Sequence, residues 1–475
     1  MKKTVAILPV TLTNWPVLKD LALSIHNEGE FAVVVLIPNA AIRARALAEG
    51  LAFPCVDLDT GQELKIAAPR IRARPTAENV PAGDTGKTSW VDSRHARLLQ
   101  FFPLRGLMTL VKCLQLTLQA ARCRDVLKRI VPISLVVPGD RESGYLLPMI
   151  REARRLGIPA IVGGGILSAS PNEMFPARRE RPVYYVTKLK GFKKRFPHQW
   201  RQDPVSSQDI SVYGAYLTEA YAFLNMLPQN PWVIGGGPSD WVMVESERVR
   251  DSYVEQGVEA SKIRVVGHVN HDRLFRALSN RDKIRECLLN KYGLERGRPI
   301  LLLGPSNFGE TGIYPWDYHW AACRELATVA AKCSSSVLVT LHPRQARTDY
   351  LFLEQEFPSL KILDEPLADI LPAVDTYFIG LGSSTESWAI QCGVPVVVAD
   401  HYPLKVHFNE AMPGIVYVQD IAELIDILSG VHNDPGYRTE FIKNMASVAK
   451  ALGNLDGNAV KRTIEVVCHP PALVM

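Results

Sequence analysis

IGLGSSTESWAIQCGVPVVVAD, from Ile379 to Asp400, is the stretch whose reading decides the fold. It divides into a strand end (Tyr377 to Gly380), a glycine and serine turn (Leu381 to Ser384), a short helix (Thr385 to Cys392), a stop at Gly393 and a buried strand (Val394 to Ala399). Small hydroxyl side chains at a helix start cap its free N–H groups, and those same groups attract a phosphate. From this stretch alone two uses stay open, a plain cap between parallel strands or an anion seat.

The same alternation recurs on both sides. Upstream come strands Thr4 to Pro9, Phe31 to Ile37, Phe53 to Leu58, Ile133 to Pro138 and Ile158 to Val162, separated by helical patterns. Strands Trp241 to Glu245, Ile263 to Val266, Ile300 to Leu303, Ser336 to Leu341 and Lys361 to Leu363 lead to the opening stretch, with helix Asn270 to Tyr292 among them. Apolar runs of strand length between helices predict parallel sheets covered on both faces, with ligands beyond the C-terminal strand ends. The expected fold class is α/β with two Rossmann-like domains facing a cleft. Residues 1–248 form the first, with insertions 59–92 and 166–231; residues 249–435 form the second; helices in 436–475 return to the first. A length of 475 residues suits two cores.

Composition narrows the class. Hydrophobic content of 47% and charged content of 22% describe a globular protein, and no uncharged run is long enough to span a bilayer. The opening MKKTVAILPVTLTNWP has the charged start of a signal peptide, but its apolar run is short and broken by Pro9, so a first core strand is expected. Eight cysteines show no CxxC pair, which predicts reduced thiols in the cytoplasm rather than a zinc or disulfide framework. AGDTGKTS, 82–89, has the residues of a phosphate loop at the wrong spacing. Gly163 to Gly165 close a strand where a ligand or another backbone would approach.

Taken in order, VVPGDRES (136–143), VMVESERVRDSYVEQGVEASKIRVVGHVNHDRL (242–274), LLLGPSNFGE (301–310), VTLHPR (339–344) and GSSTESWAIQCGVPVVV (382–398) resemble the GT-B fold, over roughly 130 to 430. That fold is shared by many sugar-nucleotide glycosyltransferases and the UDP-N-acetylglucosamine 2-epimerases. The resemblance implies that Gly382, Ser383, Ser384 and Thr385, with Gly304, Ser306 and Asn307, cradle a donor diphosphate. His342 and Arg344 add charged donors, Glu386 accepts from ribose hydroxyls, His268 meets the nucleotide and Leu367 lies near the base. Asp140 and Glu142, across the cleft, are the candidate acceptor bases; as a bare residue, Asp140 equally suits a helix cap, and so does His268. No cofactor beyond the donor, and no metal, is expected.

The departures separate activities. The epimerase branch needs a His in the glycine loop and glutamates after the Gly-Asp turn, whereas here the loop reads Gly304-Pro305-Ser306-Asn307 and the next strand ends in glycines. Epimerisation requires proton removal at the sugar, while transfer asks for a stabilised leaving diphosphate and one base. A glycosyltransferase acting on a bacterial surface-polysaccharide or lipid-linked acceptor is therefore the expected function. The alternatives are a hydrolysing 2-epimerase-like enzyme and a non-catalytic sugar-nucleotide-binding protein.

Net charge is +5, with basic residues crowded at 94–129 and 178–201. Apolar and aromatic residues among them fit an anionic leaflet, which would seat the protein peripherally on the inner face of the membrane. A buried helix for 98–129 and a solvated loop for 178–201 fit as well. Nucleic acid ranks below both, because the rest of the chain resembles sugar-nucleotide enzymes.

Overall fold

A computed structural model of the chain describes residues 2–64, 102–141, 144–163, 174–179, 181–187, 189, 191–310, 312, 314–402, 407, 409–410 and 412–470. The 82–89 loop, Glu142, Gly164 and Gly165 lie outside the described residues.

Two parallel sheets carry the chain. The first joins β1 (Thr4–Ile7), β2 (Ala32–Ile37), β3 (Cys55–Asp57), β4 (Ser134–Val137) and β5 (Ala160–Val162). An antiparallel ribbon, β6 (Trp200–Gln202) and β7 (Asp209–Ser211), stands apart. Then β8 (Trp241–Val244) and β9 (Ile263–Val265) return to the first sheet, in the order β3-β2-β1-β4-β5-β8-β9. The second sheet comprises β10 (Leu301–Gly304), β11 (Val337–Val339), β12 (Leu360–Ile362), β13 (Thr376–Ile379), β14 (Val396–Ala399) and β15 (Ile415–Val418), in the order β12-β11-β10-β13-β14-β15. Strand Trp241 to Glu245 falls in the first sheet, as the boundary at 248 expects, whereas Ile263 to Val266, expected in the second domain, joins it there. Val242 registers with Val162 and with Ile263, so the first sheet runs past residue 248.

Register follows burial. Val5 pairs with Val33 and Ser134, and Leu302 with Leu338 and Tyr377, all buried, as strands covered on both faces require. Helix Asn270 to Tyr292, expected as one, is two, Val269–Ser279 and Arg281–Tyr292. Asn280 leaves helical geometry between them, its amide donating to Arg276 O at 2.8 Å. The last helix, Ala459–Cys468, packs Ile464, Val467 and Cys468 into the core of the first sheet, beside Val5 and Val136. Asp272 receives the N–H groups of Ala459 and Val460 at 2.8 and 2.9 Å, which starts that helix. On the way there, Met445 and Leu452 pack on Ile390.

Each sheet reverses its winding once, between β1 and β4 and between β10 and β13. Loops leaving a pair of strands on opposite faces open a crevice at such a point. Thr13 and Asp140 follow the first pair, residues 305–310 and 381–385 the second.

Part of the charge of the basic insertion is met from within. Arg179 pairs with Asp203 at 2.7 and 2.9 Å, Lys193 with Asp209 at 2.6 Å, and Arg178 donates to Met174 O at 3.1 Å. A small core of Phe175, Ile210, Tyr213, Tyr221 and Trp232 holds the segment down, so among the described residues it is not a free basic loop. The eight cysteines form no disulfide; all but Cys287 are buried. No described helix is long and apolar enough to cross a membrane.

Candidate functional site

The turn after β13 begins where Gly380 leaves the sheet. A Cβ there would lie 2.3 Å from Leu326 Cδ1 and 3.2 Å from Ser306 N, so only glycine lets the two loops lie side by side. Helix Glu386–Gln391 follows, and Gly393 ends it at φ +71°. The hydroxyls between serve mainly one another. Ser383 Oγ lies 2.9 Å from Thr385 Oγ1 and accepts from Thr385 N at 3.3 Å, while Tyr377 OH holds Thr385 Oγ1 at 3.0 Å. Among the described residues, the N–H groups of Gly382 and Ser384 meet no acceptor. Ser383 and Thr385 thus contribute by shaping the turn.

Glu386 corrects its expected role. Its side chain is fully buried, and the carboxylate accepts from Ser383 N at 2.8 Å, Asn409 Nδ2 at 3.0 Å and Tyr417 OH at 2.8 Å. Burial pushes its pKa up to about 7 against these donors. Closed inward in this way, Glu386 pins the turn and leaves no oxygen for a ribose.

Opposite the turn, Gly304 ends β10, where a Cβ would come within 3.2 Å of Ile379 Cγ2. Ser306 Oγ is buried without a partner among the described residues, and Asn307 follows half-buried. Gln345 holds this loop, donating to Ser306 O at 3.0 Å and to Tyr350 OH at 2.6 Å. The same Gln345 accepts from His342 N at 2.7 Å.

His342 Nδ1 accepts from Arg344 N at 3.2 Å, which leaves the ring proton on Nε2. Burial and the neighbouring Arg344 push its pKa down to about 4. His342 is thus a neutral donor at pH 7, and not the charged one expected. Arg344 carries the charge. Its Nε donates to Thr13 Oγ1 at 2.7 Å across the cleft, and among the described residues no carboxylate lies within ion-pair distance of it. Burial lowers its pKa, partly offset by Glu310.

Asp140 also departs from expectation. It is fully buried, and its carboxylate accepts from Gly235 N at 2.8 Å, Gly237 N at 3.0 Å, Ser239 N at 3.4 Å and Ser239 Oγ at 2.6 Å. It is neither an open base nor a helix cap; it anchors the 235–239 turn. Glu142, its expected partner, lies outside the described residues. His268 is the N-cap of Val269–Ser279, accepting from Asn270 N at 3.0 Å, with its buried ring 5.0 Å from Trp388. Leu367 packs on the second core. Gly163 makes room for Met243, whose Cε would be 2.1 Å from a Cβ there, so a side chain approaches and not a ligand.

Four residues escaped the sequence reading. Glu245 follows β8 and is buried, and burial raises its pKa to about 8 despite the attraction of Arg248. Arg248 Nη1 donates to Asn409 Oδ1 at 2.9 Å, and Asn409 passes on to Glu386 beside Tyr417. The only sequence signal was a Glu and an Arg three apart beyond a strand end, which is common. Among the described residues no cluster of three or more metal-ligating side chains occurs.

No protein-family model matches the chain, and no curated protein matches it in sequence. Solved structures match along almost its whole length. The UDP-GlcNAc 2-epimerase of Neisseria meningitidis, bound to UDP-GlcNAc, is 12% identical with a TM-score of 0.51, over 98% of this chain and 100% of that one. A putative UDP-N-acetylglucosamine 2-epimerase of Listeria monocytogenes is 12% identical, with a TM-score of 0.48 over 98% and 96%. Anabaena HepE in complex with UDP and glucose is 10% identical, with a TM-score of 0.46 over 98% and 100%. The fold is therefore that of the GT-B and 2-epimerase-like proteins, as the sequence motifs implied.

Proposed function

We propose that the cleft binds a nucleoside diphosphate sugar and that the chain is a glycosyltransferase. The observation that carries this reading is Arg344, a guanidinium held in the cleft by Thr13 that, among the described residues, feels the attraction of Glu310 but has no carboxylate within ion-pair distance. A diphosphate beside it would take its charge, the Nε2 proton of His342 and the N–H groups of Gly382 and Ser384. In transfer, the bond from the anomeric carbon to the diphosphate oxygen breaks, the acceptor oxygen bonds that carbon, and the acceptor proton passes to a base. The same donors stabilise the charge left on the diphosphate. Asp140 does not suit that role, because it is fully buried and its carboxylate is held by the 235–239 turn.

The second reading, a hydrolysing 2-epimerase, rests on the fold shared with the Neisseria enzyme, which was solved with UDP-GlcNAc. It needs a proton-removing group at the sugar, and the 304–307 loop has none.

Thermal shift with UDP, GDP, CDP and CMP tests the binding. At least one should raise the melting temperature well beyond inorganic phosphate, and indifference to all of them would overturn the proposal. Release of UDP from UDP-GlcNAc without an acceptor would favour the second reading. Tight binding with no turnover on any donor or acceptor would mark a non-catalytic binder.

A further inference from the structure

Helix Phe102–Ile130 buries one face and leaves a different kind of face to solvent. Cys113, Leu116, Ala120, Cys123, Val126 and Leu127 point into the protein. On the other side Leu104, Leu107, Val111, Leu114 and Leu118 recur at intervals of three, four, three and four, and with Leu110 they are 37% to 67% exposed. That spacing is the a/d seam of a helix that packs against another helix, and it runs roughly 20 Å. Nothing in the inward packing demands it, since the core is served by the opposite face. Beyond Leu118 the outward positions become Arg122, Asp125, Lys128 and Arg129, so the apolar seam has a defined end.

We propose that this seam pairs with the same seam of a second copy of the chain, the two helices antiparallel about a two-fold axis at Val111. The seam is nearly symmetric about that residue, with Leu107 and Leu114 on either side and Leu104 and Leu118 beyond, as an isologous contact requires. Antiparallel pairing also sets the Arg122 to Arg129 ends at opposite ends of the contact. The exposed apolar area is on the order of 500 Å², at the top of what lone monomers show, and Met108, Gln115 and Thr117 would extend it towards the roughly 800 Å² per partner of a standard interface. An anionic membrane fits less well. Along the seam the flanks are mostly uncharged, Met108, Gln115 and Thr117, with Lys112 the one cation among the described residues not paired to a carboxylate there, Arg105 pairs with Glu219 at 3.3 Å, and the outward Arg122, Lys128 and Arg129 lie beyond its end. Basic flanks free to meet headgroups are what such a surface requires.

Sedimentation velocity of the full chain and of Leu107→Glu/Leu114→Glu tests this, with thermal melting and flotation with phosphatidylglycerol vesicles alongside. The expected result is a wild-type dimer, a monomeric variant with an unchanged melting temperature, and no flotation of either. A wild-type monomer overturns the proposal: if it floats and the variant does not, the face belongs to a membrane, and if the variant instead melts lower, the chain covers its own seam. A dimer that survives both substitutions also overturns it, by placing the interface elsewhere.

Discussion

Asn409 joins Arg248 to Glu386: its Oδ1 accepts from Arg248 Nη1 at 2.9 Å and its Nδ2 donates to Glu386 Oε2 at 3.0 Å. One amide thus ties the strand end of β8, in the first sheet, to the turn after β13, in the second. Asn409→Ala should destabilise the protein by about 1–3 kcal/mol, because it removes one of three hydrogen bonds to the buried Glu386 and leaves the half-buried Arg248 without this acceptor. Urea unfolding followed by fluorescence measures this, and an unchanged midpoint would remove Asn409 from any structural role.

Glu386 gives stability a pH dependence. Its folded pKa, about 7, lies above the ordinary 4.5, so the folded state holds the extra proton between those values and stability falls as pH rises through them. Glu386→Gln abolishes this term. Relative to wild type, the variant should gain up to roughly 3 kcal/mol between pH 4.5 and 7, whatever its constant offset from altered hydrogen bonds. Parallel stability curves for the two proteins would contradict the assignment.

Asp140→Ala should cost about 2–4 kcal/mol by leaving the N–H groups of Gly235 and Gly237 buried and unpaired. Melting temperature is the readout. A variant that melts like wild type yet has lost turnover would restore Asp140 as a base.

Arg344→Ala should weaken nucleoside diphosphate binding ~10- to 100-fold, the loss of one charge-assisted contact. Thr13→Ala should weaken it less, since it frees the guanidinium without removing it. Calorimetric titration separates the two, and equal affinity in Arg344→Ala would place the anion elsewhere.

On the proposed reading, in which Arg344, the neutral His342 donor and two backbone N–H groups hold the diphosphate, chelation with EDTA should leave the nucleotide-induced thermal shift intact. Loss of the shift on chelation, with recovery on adding magnesium, would show that a cation bridges the diphosphate.

The strands, the turn at 381–385 and the His-Pro strand end were legible because each is written in a local pattern of apolar runs and a glycine stop; the expected hydroxyl cap did not form, since Ser383 and Thr385 bond one another instead. The assignments that moved were those of carboxylates. Asp140 and Glu386 carry the chemistry of a base and a ribose acceptor in any sequence. What decides is which donors the fold brings to them, and those come from 95 to 99 residues away for Asp140 and from 23 and 31 away for two of the three at Glu386.

By itself the sequence determined two parallel α/β sheets and the turns that follow their strands, since periodicity and turn chemistry act over a few residues. Only the tertiary structure decided that β9 joins the first sheet beside β8, that Arg344 crosses to Thr13, and that Glu386 faces inward. Strand pairing, ion pairing and burial are made between segments distant in the chain, and an amino-acid pattern does not record its neighbours in space.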